Sequence, residues 1–192
     1  MNQIYLTNIA DNISNSVEMF HDTRLQGDMV DAARMCIETI KYDCKIMFIG
    51  NGGSAADAQH LAAELVVKLK KVRDGLPGLA LTTDTSVLTA IANDFGYDDV
   101  FARQVETFGR MGDVLIAIST SGSSNNIVKA LVRAKELGIS TILLTGPNKQ
   151  TLGDINISVP GQNTGRIQEG HILLGHTLIE MIETQLERED FV

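Results

Sequence analysis

The chain has 192 residues, with 24 acidic and 16 basic side chains and a formal net charge of −8. A composition of 44% hydrophobic and 21% charged residues is typical of a globular protein, and the length suits one compact domain. The acidic balance argues against a general nucleic-acid or membrane-surface binder, because such proteins need a basic face.

The N-terminal part, residues 1–44, is predicted to be helical and to carry no targeting signal. Its first residues, MNQIYLTNIADNIS, lack the basic and then apolar segments of a signal peptide, and no apolar run in the chain is long enough to span a bilayer. We therefore expect a cytoplasmic protein, in which Cys36 and Cys44 are reduced thiols. Apolar residues recur at helical spacing in two groups: Ile4, Ile9, Ile13, Val17 and Phe20, then Val30, Ala33, Ile37 and Ile40. Two such helices would cover either the domain's own sheet or a second copy of the chain.

From Lys45 onward, short apolar runs alternate with helical patterns. The runs are residues 45–50, 76–83, 113–120, 140–145 and 155–160. The helices are predicted from about Ser54, over 85–94 with Asp84 as the cap, over 98–109 and 123–138, and from about 165 to 188. This alternation predicts an α/β fold, with buried parallel strands and helices on both faces of the sheet. In such folds ligands bind at the carboxyl ends of the strands, where the loops GNGGS and STSGSS lie.

The loop at residues 119–124, STSGSS, is predicted to bind a phosphate. Five of its six residues carry a hydroxyl, Gly122 permits a close backbone approach, and the helix that follows offers unpaired N–H groups. It matches neither a Walker A loop nor a dinucleotide fingerprint. A simple turn with a helix cap remains the alternative, although a cap needs only one such hydroxyl.

Two further segments carry residues suited to acid–base or metal chemistry. His60 and Glu64 lie one turn apart on one helix face, just behind the glycine loop. On the last helix, a rotation of about 100° per residue puts Gln168 about 60° from His171 and about 80° from His176. Gln168 could therefore share a site with either histidine but hardly with both. Because His171 falls within the apolar stripe, we interpret it as a buried or interface histidine whose hydrogen bonds are satisfied.

The sequence resembles the phosphoheptose isomerases, which are sugar isomerase (SIS) domain proteins. The resemblance runs nearly end to end and is strongest in GNGGSAADAQHLAAEL, LTAIANDFGYDDVFARQV, GDVLIAISTSGSSNNIVKA and RIQEGHILLGH. It implies a single SIS domain over 1–192, with an N-terminal helical segment (1–44) and an α/β core with a C-terminal helix (45–192). The implied fold is a three-layer sandwich with a five-stranded parallel sheet and two N-terminal helices.

The resemblance also implies roles for matching positions. The implied reaction converts sedoheptulose 7-phosphate to D-glycero-D-manno-heptose 7-phosphate through an enediol(ate), toward the ADP-heptose of lipopolysaccharide. Glu64 and His176 match the catalytic pair, and zinc is implied at His60, Glu64, Gln168 and His176. Substrate contacts are implied at Asn51, Gly52, Gly53, Glu64, Asn93, Asp94, Ser119, Thr120, Ser121, Ser124 and Gln168, with Ser54 as an added contact. The implied partners are the sugar phosphate and other copies of the chain in a homotetramer, without nucleic acid or membrane.

Two positions depart from the family's common pattern. Lys68 stands where an arginine is usual, and Gly165 where many members have an aspartate. Because Arg and Lys differ in hydrogen-bond geometry, these changes bear on the substrate more than on the reaction type, and a related capsule or surface-layer sugar phosphate stays open. A second hypothesis is a non-catalytic SIS protein of the kind that associates with the replication initiator DnaA, but such proteins lack the glutamate and histidine retained here. A third is a sugar-phosphate sensor domain.

Overall fold

The computed structural model describes residues 14, 17, 19, 21–147, 151–189 and 191. Within them the helices are α1 (Thr23–Lys41), α2 (Gly53–Val66), α3 (Thr85–Asp94), α4 (Ala102–Phe108), α5 (Asn125–Glu136) and α6 (Thr164–Arg188), with a 3₁₀ turn at Tyr97–Asp99. The strands are β1 (Ile46–Gly50), β2 (Gly78–Ala80), β3 (Val114–Ser119), β4 (Ser140–Thr145) and β5 (Ile155–Ser158).

The five strands form one parallel sheet in the order β2-β1-β3-β4-β5, which confirms the predicted fold. The central strands β1 and β3 are buried along their whole length, because helices cover both faces. Side chains alternate between two apolar clusters: Phe48 faces the cluster that includes α1, α2 and α6, whereas Met47 faces the one that includes α3, α4 and α5.

The N-terminal helix α1 covers the chain's own sheet. Its buried residues, among them Ala32 and Cys36, belong to the same cluster as the strand residues Ile46 and Ile116. The helix begins at Asp22, whose carboxylate accepts hydrogen bonds from the N–H groups of Arg24 and Leu25. The earlier predicted helix, from Ile4 to Phe20, falls largely outside the described residues.

Two elements differ from the sequence prediction. The run over 76–83 forms only the three-residue strand β2, because the chain turns at Thr82 and Asp84 then caps α3 through the N–H of Val87. The helix predicted over 98–109 is divided into the 3₁₀ turn, which ends at Asp99, and α4, which begins at Ala102. None of the described helices combines the length and apolarity needed to cross a bilayer.

Candidate active site

The two polar loops meet at the point where the strand order reverses. From β1 the chain moves outward to β2 and then returns to β3 on the other side of β1. Gly50 and Ile118, near the ends of β1 and β3, are paired in register. Because the connections that follow β1 and β3 run to opposite sides, their loops leave a crevice of the kind in which α/β proteins bind ligands.

The helices that follow these loops have open N-termini. Gly52, with φ of 56°, and Ser124 precede α2 and α5, and neither helix has a side-chain cap. In contrast, Asp22, Asp84 and Asn163 cap α1, α3 and α6. The uncapped N–H groups of α2 and α5, with the positive ends of their dipoles, suit an anion.

The serine loop is held by its own hydroxyls. Ser119 Oγ accepts the N–H of Gly122 at 3.2 Å, and Ser121 Oγ accepts the N–H of Ser123 at 3.2 Å. Gly122 has φ of 66°, which suits glycine. Because a hydroxyl that accepts a hydrogen bond can still donate one, these groups stay able to donate to a phosphate oxygen. Thr120 and Ser124, both half-buried, complete the loop.

The glycine loop is tied to the serine-loop helix through amides. Asn51 and Asn126 exchange two hydrogen bonds of 2.9 Å, and the Tyr97 hydroxyl donates to Asn51 Oδ1 at 3.2 Å. Asn93 and Asp94 lie exposed at the end of α3 and bond to each other at 2.8 Å. Tyr97, three residues after Asp94, is the part of this segment that bonds to the network.

Gly53 and Ser54 occupy the first turn of α2. Ser54 is buried. A Cβ on Gly53 would lie 2.6 Å from Nε2 of Gln168, so the glycine makes room for that amide. Gln168 therefore lies beside the glycine loop. It precedes His176 by about 12 Å along the axis of α6.

His60, Glu64 and His176 form a cluster that joins α2 to α6. The Nε2 atoms of the two histidines are 2.9 Å apart, and Oε1 of Glu64 lies 3.2 Å from His60 Nε2 and 3.3 Å from His176 Nε2. The close approach of the helices uses Gly175, where a Cβ would meet the side chain of Leu61. Oε2 of Glu64 is buried without a hydrogen-bond partner among the described residues.

The cluster's electrostatics extend to Asp57, one turn before His60 on α2. Its Oδ2 is buried and has no hydrogen-bond partner in the described part of the chain. Burial raises the pKa of this carboxyl, although His60 and His176 act to lower it. Asp57 thus adds a second carboxylate near the two histidines.

His171 lies in the core rather than in the cluster. Its side chain is 0% exposed, and neither ring nitrogen meets hydrogen-bond geometry with a described residue. Burial lowers the pKa of His171 to about 4, opposed more weakly by the backbone of Thr145. The prediction that His171 is buried is confirmed, but the expectation that its ring nitrogens would be satisfied by hydrogen bonds is not met among the residues that the structure describes.

Comparisons with known proteins place this geometry in a family. A family model described as SIS domain matches residues 9–146. The phosphoheptose isomerase of Aliarcobacter butzleri is 54% identical over 165 residues, covering 84% of this chain and 87% of its own. That of Akkermansia muciniphila is 48% identical over 181 residues, covering 93% of each chain. The chain belongs to the phosphoheptose isomerase family.

The solved structure of a phosphoheptose isomerase from Neisseria gonorrhoeae shares the fold of this family member. It superimposes with a TM-score of 0.86 at 42% identity, over 94% of this chain and 98% of that one. Family membership confirms the prediction of an isomerase with an α/β SIS fold.

Sequence reasoning missed three polar residues, Asp57, Tyr97 and Arg73, that lie beside the predicted site residues. Asp57 and Tyr97 lie inside quoted family segments, but no spacing rule singles them out. Arg73 donates hydrogen bonds to the backbone oxygens of Glu64 and Leu65. Its ion-pair partner on α6, Glu183, is 110 residues away in the sequence, so no local pattern could have pointed to Arg73.

Proposed function

We propose that this isomerase converts sedoheptulose 7-phosphate to D-glycero-D-manno-heptose 7-phosphate, as a cytoplasmic enzyme on the route to the ADP-heptose of lipopolysaccharide. The observation that carries the proposal is the convergence of His60, Glu64 and His176 from two helices. The names and similarity of the relatives support this substrate class. Neither Lys68 nor Gly165 belongs to the cluster, so neither departure argues against the reaction type.

The proposed chemistry moves one proton between adjacent carbons. Glu64 takes a proton from C1 of the ketose, and the electron pair of that C–H bond forms the C1–C2 double bond of an enediol(ate). Return of the proton to C2 then gives the aldose. His176 carries the hydroxyl proton between O2 and O1. The Glu64 carboxylate and the His176 imidazole, 3.3 Å apart, are close enough for one to move the carbon-bound proton and the other the hydroxyl proton of the same substrate.

The donor set at the cluster fits zinc. The three donor atoms form a triangle with sides of 2.9, 3.2 and 3.3 Å. Four ligands held tetrahedrally about 2.0–2.1 Å from zinc are about 3.3 Å apart, so this triangle is close to one face of such a shell. His60, Glu64 and His176 would hold the ion, with Gln168 as the fourth ligand that the family resemblance implies. Bound zinc supplies Lewis-acid polarisation of the sugar's carbonyl group.

The serine loop is the proposed phosphate site. Ser119, Thr120, Ser121 and Ser124 offer hydroxyl donors, and the open N-terminus of α5 adds backbone N–H groups. The amide of Asn51, together with Gly52, Gly53 and Ser54, lies across the crevice from this loop. Asn93, Asp94 and Gln168 are the proposed contacts to the sugar. Binding the phosphate group of the substrate would restrict the motion of C1 and C2, the carbons that react.

The distance between the proposed phosphate site and the Glu64–His176 pair favours a site built by more than one copy of the chain. A rise of about 1.5 Å per residue puts Glu64 roughly 16 Å along α2 from Gly53. With bonds of about 1.5 Å, a seven-carbon sugar phosphate spans roughly 10 Å. We therefore propose that the isomerase assembles as a homotetramer, in which the Glu64–His176 pair of one copy works with the serine loop of another.

The activity is tested by incubating the protein with sedoheptulose 7-phosphate and following the appearance of an aldose phosphate by NMR. Turnover is expected from the wild type and from Glu180→Gln, which alters an exposed carboxylate, but not from a folded Glu64→Gln variant. Absence of an aldose phosphate with the wild type would refute the proposed substrate, and near-normal turnover by Glu64→Gln would remove that residue as the base.

The composite site is tested separately by mixing Glu64→Gln, which is expected to be inactive, with Ser121→Ala/Ser124→Ala, assayed at a substrate concentration far below the raised KM of the loop variant, where its turnover is low. If one copy supplies the carboxylate and another the loop, subunit exchange between the two variants creates intact sites and restores part of the activity. A mixture that exchanges subunits but stays inactive would show that each site lies within a single copy.

A further inference from the structure

A buried ion pair connects the segment after α2 to α6. The Arg73 side chain is 3% exposed and that of Glu183 is 5% exposed. Nε and Nη2 of Arg73 both lie 2.9 Å from Oε1 of Glu183. Glu183 also accepts the N–H groups of Leu69 and Lys70, at 2.9 and 3.1 Å.

This set of donors makes the buried charge of Glu183 favourable. Burial by itself would raise the pKa of this carboxyl, but the two backbone N–H groups and Arg73 outweigh burial and lower it. Breaking a buried pair by removing one partner is strongly destabilising, because it leaves an uncompensated charge. A pair with this many hydrogen bonds therefore fixes the relative position of the two segments firmly.

The other side of the Arg73 guanidinium holds the end of α2. Nη2 donates to the backbone oxygen of Glu64 at 2.9 Å, and Nη1 donates to that of Leu65 at 2.8 Å. Carbonyl groups in the last turn of a helix lack partners within the helix, and a cation there also suits the helix dipole. Arg73 thus contacts the backbone of the residue that the proposed mechanism uses as the base.

Glu183 lies on the same side of α6 as His176. The two positions are separated by about two helical turns, so their side chains project in nearly the same direction. A single guanidinium therefore joins the backbone of Glu64 to the helix that carries His176. The relative position of these two helices determines the 3.3 Å distance between Glu64 Oε1 and His176 Nε2.

We propose that Arg73 and Glu183 are positioning residues of the isomerase site: their ion pair holds Glu64 at its working distance from His176. The inference rests on the proposed function, in which these two residues act together. Neither positioning residue touches the serine loop. Their loss is therefore expected to lower kcat and the affinity for zinc, and to leave KM for the sugar phosphate nearly unchanged.

The same two segments provide a matched control. Lys71 and Glu187 also form an ion pair between the segment after α2 and α6, but their side chains are 61% and 47% exposed. Exposed pairs contribute little and do not set geometry. Lys71→Ala is expected to leave kcat, KM and zinc affinity at their wild-type values.

Three variants test the inference. Arg73→Lys keeps the charge, but its single nitrogen cannot span the separate positions at which Nε, Nη1 and Nη2 of Arg73 meet Glu183 and the two carbonyls. Glu183→Gln keeps the shape and removes the charge. The double variant Arg73→Met/Glu183→Leu replaces the pair with apolar side chains and leaves no unpaired buried charge, so it keeps the test available if a single variant does not fold.

The measurements are the folded fraction by circular dichroism, kcat and KM for sedoheptulose 7-phosphate, and zinc affinity of the metal-free protein by competition with a chelating dye. A misplacement of about 1 Å in an active site can cost about a hundredfold in rate. We expect kcat per folded molecule to fall 10- to 100-fold, zinc affinity to fall at least 10-fold and KM to stay within about threefold.

Folded Arg73→Lys and double variants with wild-type kcat and zinc affinity would overturn the inference, even with Glu64→Gln inactive. A parallel loss of kcat in the Lys71→Ala control would also overturn it, because the effect would then not be specific to the buried pair. Turnover by Glu64→Gln would instead overturn the proposed function, so the two failures are distinguishable.

Discussion

The buried ring of His171 predicts that the isomerase loses stability in mild acid. The ring is 0% exposed, and its pKa is lowered by burial to about 4, against an ordinary value of 6.5. Between these two pH values the unfolded chain binds a proton that the folded chain does not. The free energy of unfolding therefore falls as the pH falls.

The magnitude follows from the two pKa values. The contribution of neutral His171 is fully present above pH 6.5 and is lost as the pH falls through about 4. The complete loss corresponds to about 3 kcal/mol, and about 2 kcal/mol of it occurs by pH 5. Such a loss is a large fraction of the stability of an ordinary domain.

The assay is urea unfolding of the wild type and of His171→Leu at pH 7.5 and at pH 5. The difference between the two proteins isolates this one group from the other titrating residues. We expect the wild type to lose about 2 kcal/mol more than the variant between the two pH values. His21→Gln, which changes an exposed histidine, serves as the control and should behave as the wild type does. An NMR titration that gives His171 a pKa near 6.5, or equal pH dependence in wild type and His171→Leu, would refute the reasoning.

Three further predictions concern the loops and the metal. Ser121→Ala is expected to raise KM about tenfold or more with little change in kcat, because a hydrogen bond to a charged group is lost; steady-state kinetics beside Ser123→Ala would show the contrast, and an unchanged KM would count against the phosphate loop. Gly50→Ala should lower the free energy of unfolding in urea by about 1–3 kcal/mol, since a Cβ there meets the backbone of Ser54. Gly27→Ala, with open space around its Cβ, is the control, and equal stability of the two variants would contradict this packing. Chelation should remove activity and lower the melting temperature, and zinc should restore both; full activity in metal-free protein would exclude a catalytic ion.

Much of the fold could be predicted from local patterns. Asp84 and the apolar spacing behind it gave the correct limits of α3, because a capped amphipathic helix is determined by neighbouring residues. The end of β2 could not be predicted in this way. Thr82 and Thr83 suit a strand by composition, but the hydroxyl of Thr82 bonds to Ala55 of α2 where the chain turns. Contacts with another element decided that boundary.

The same distinction, between features set by neighbouring residues and features set by distant contacts, holds for the candidate site. His60 and Glu64 are one turn apart, so their pairing is visible in the sequence, and the structure places them together. Helical periodicity could not choose between His171 and His176, because both lie near the apolar stripe of α6. The choice of His176 came from the family resemblance, and the structure places His176 beside Glu64. Arg73 and Glu183 are joined only by the folded chain, so their contact lay beyond any local pattern.

The two outer strands restrict how copies of this chain can join. β2 has three residues and follows Pro77, and β5 has four, so each border of the sheet offers few free backbone donors and acceptors. A β-sheet that continues across subunits needs long, flat edge strands. Short edge strands such as β2 and β5 oppose unintended strand pairing between copies. Self-association of this chain is therefore expected to bury helix surfaces, leaving the strand borders outside the contact. An assembly of this kind can form and separate without disturbing the ladder of backbone hydrogen bonds that positions the glycine and serine loops.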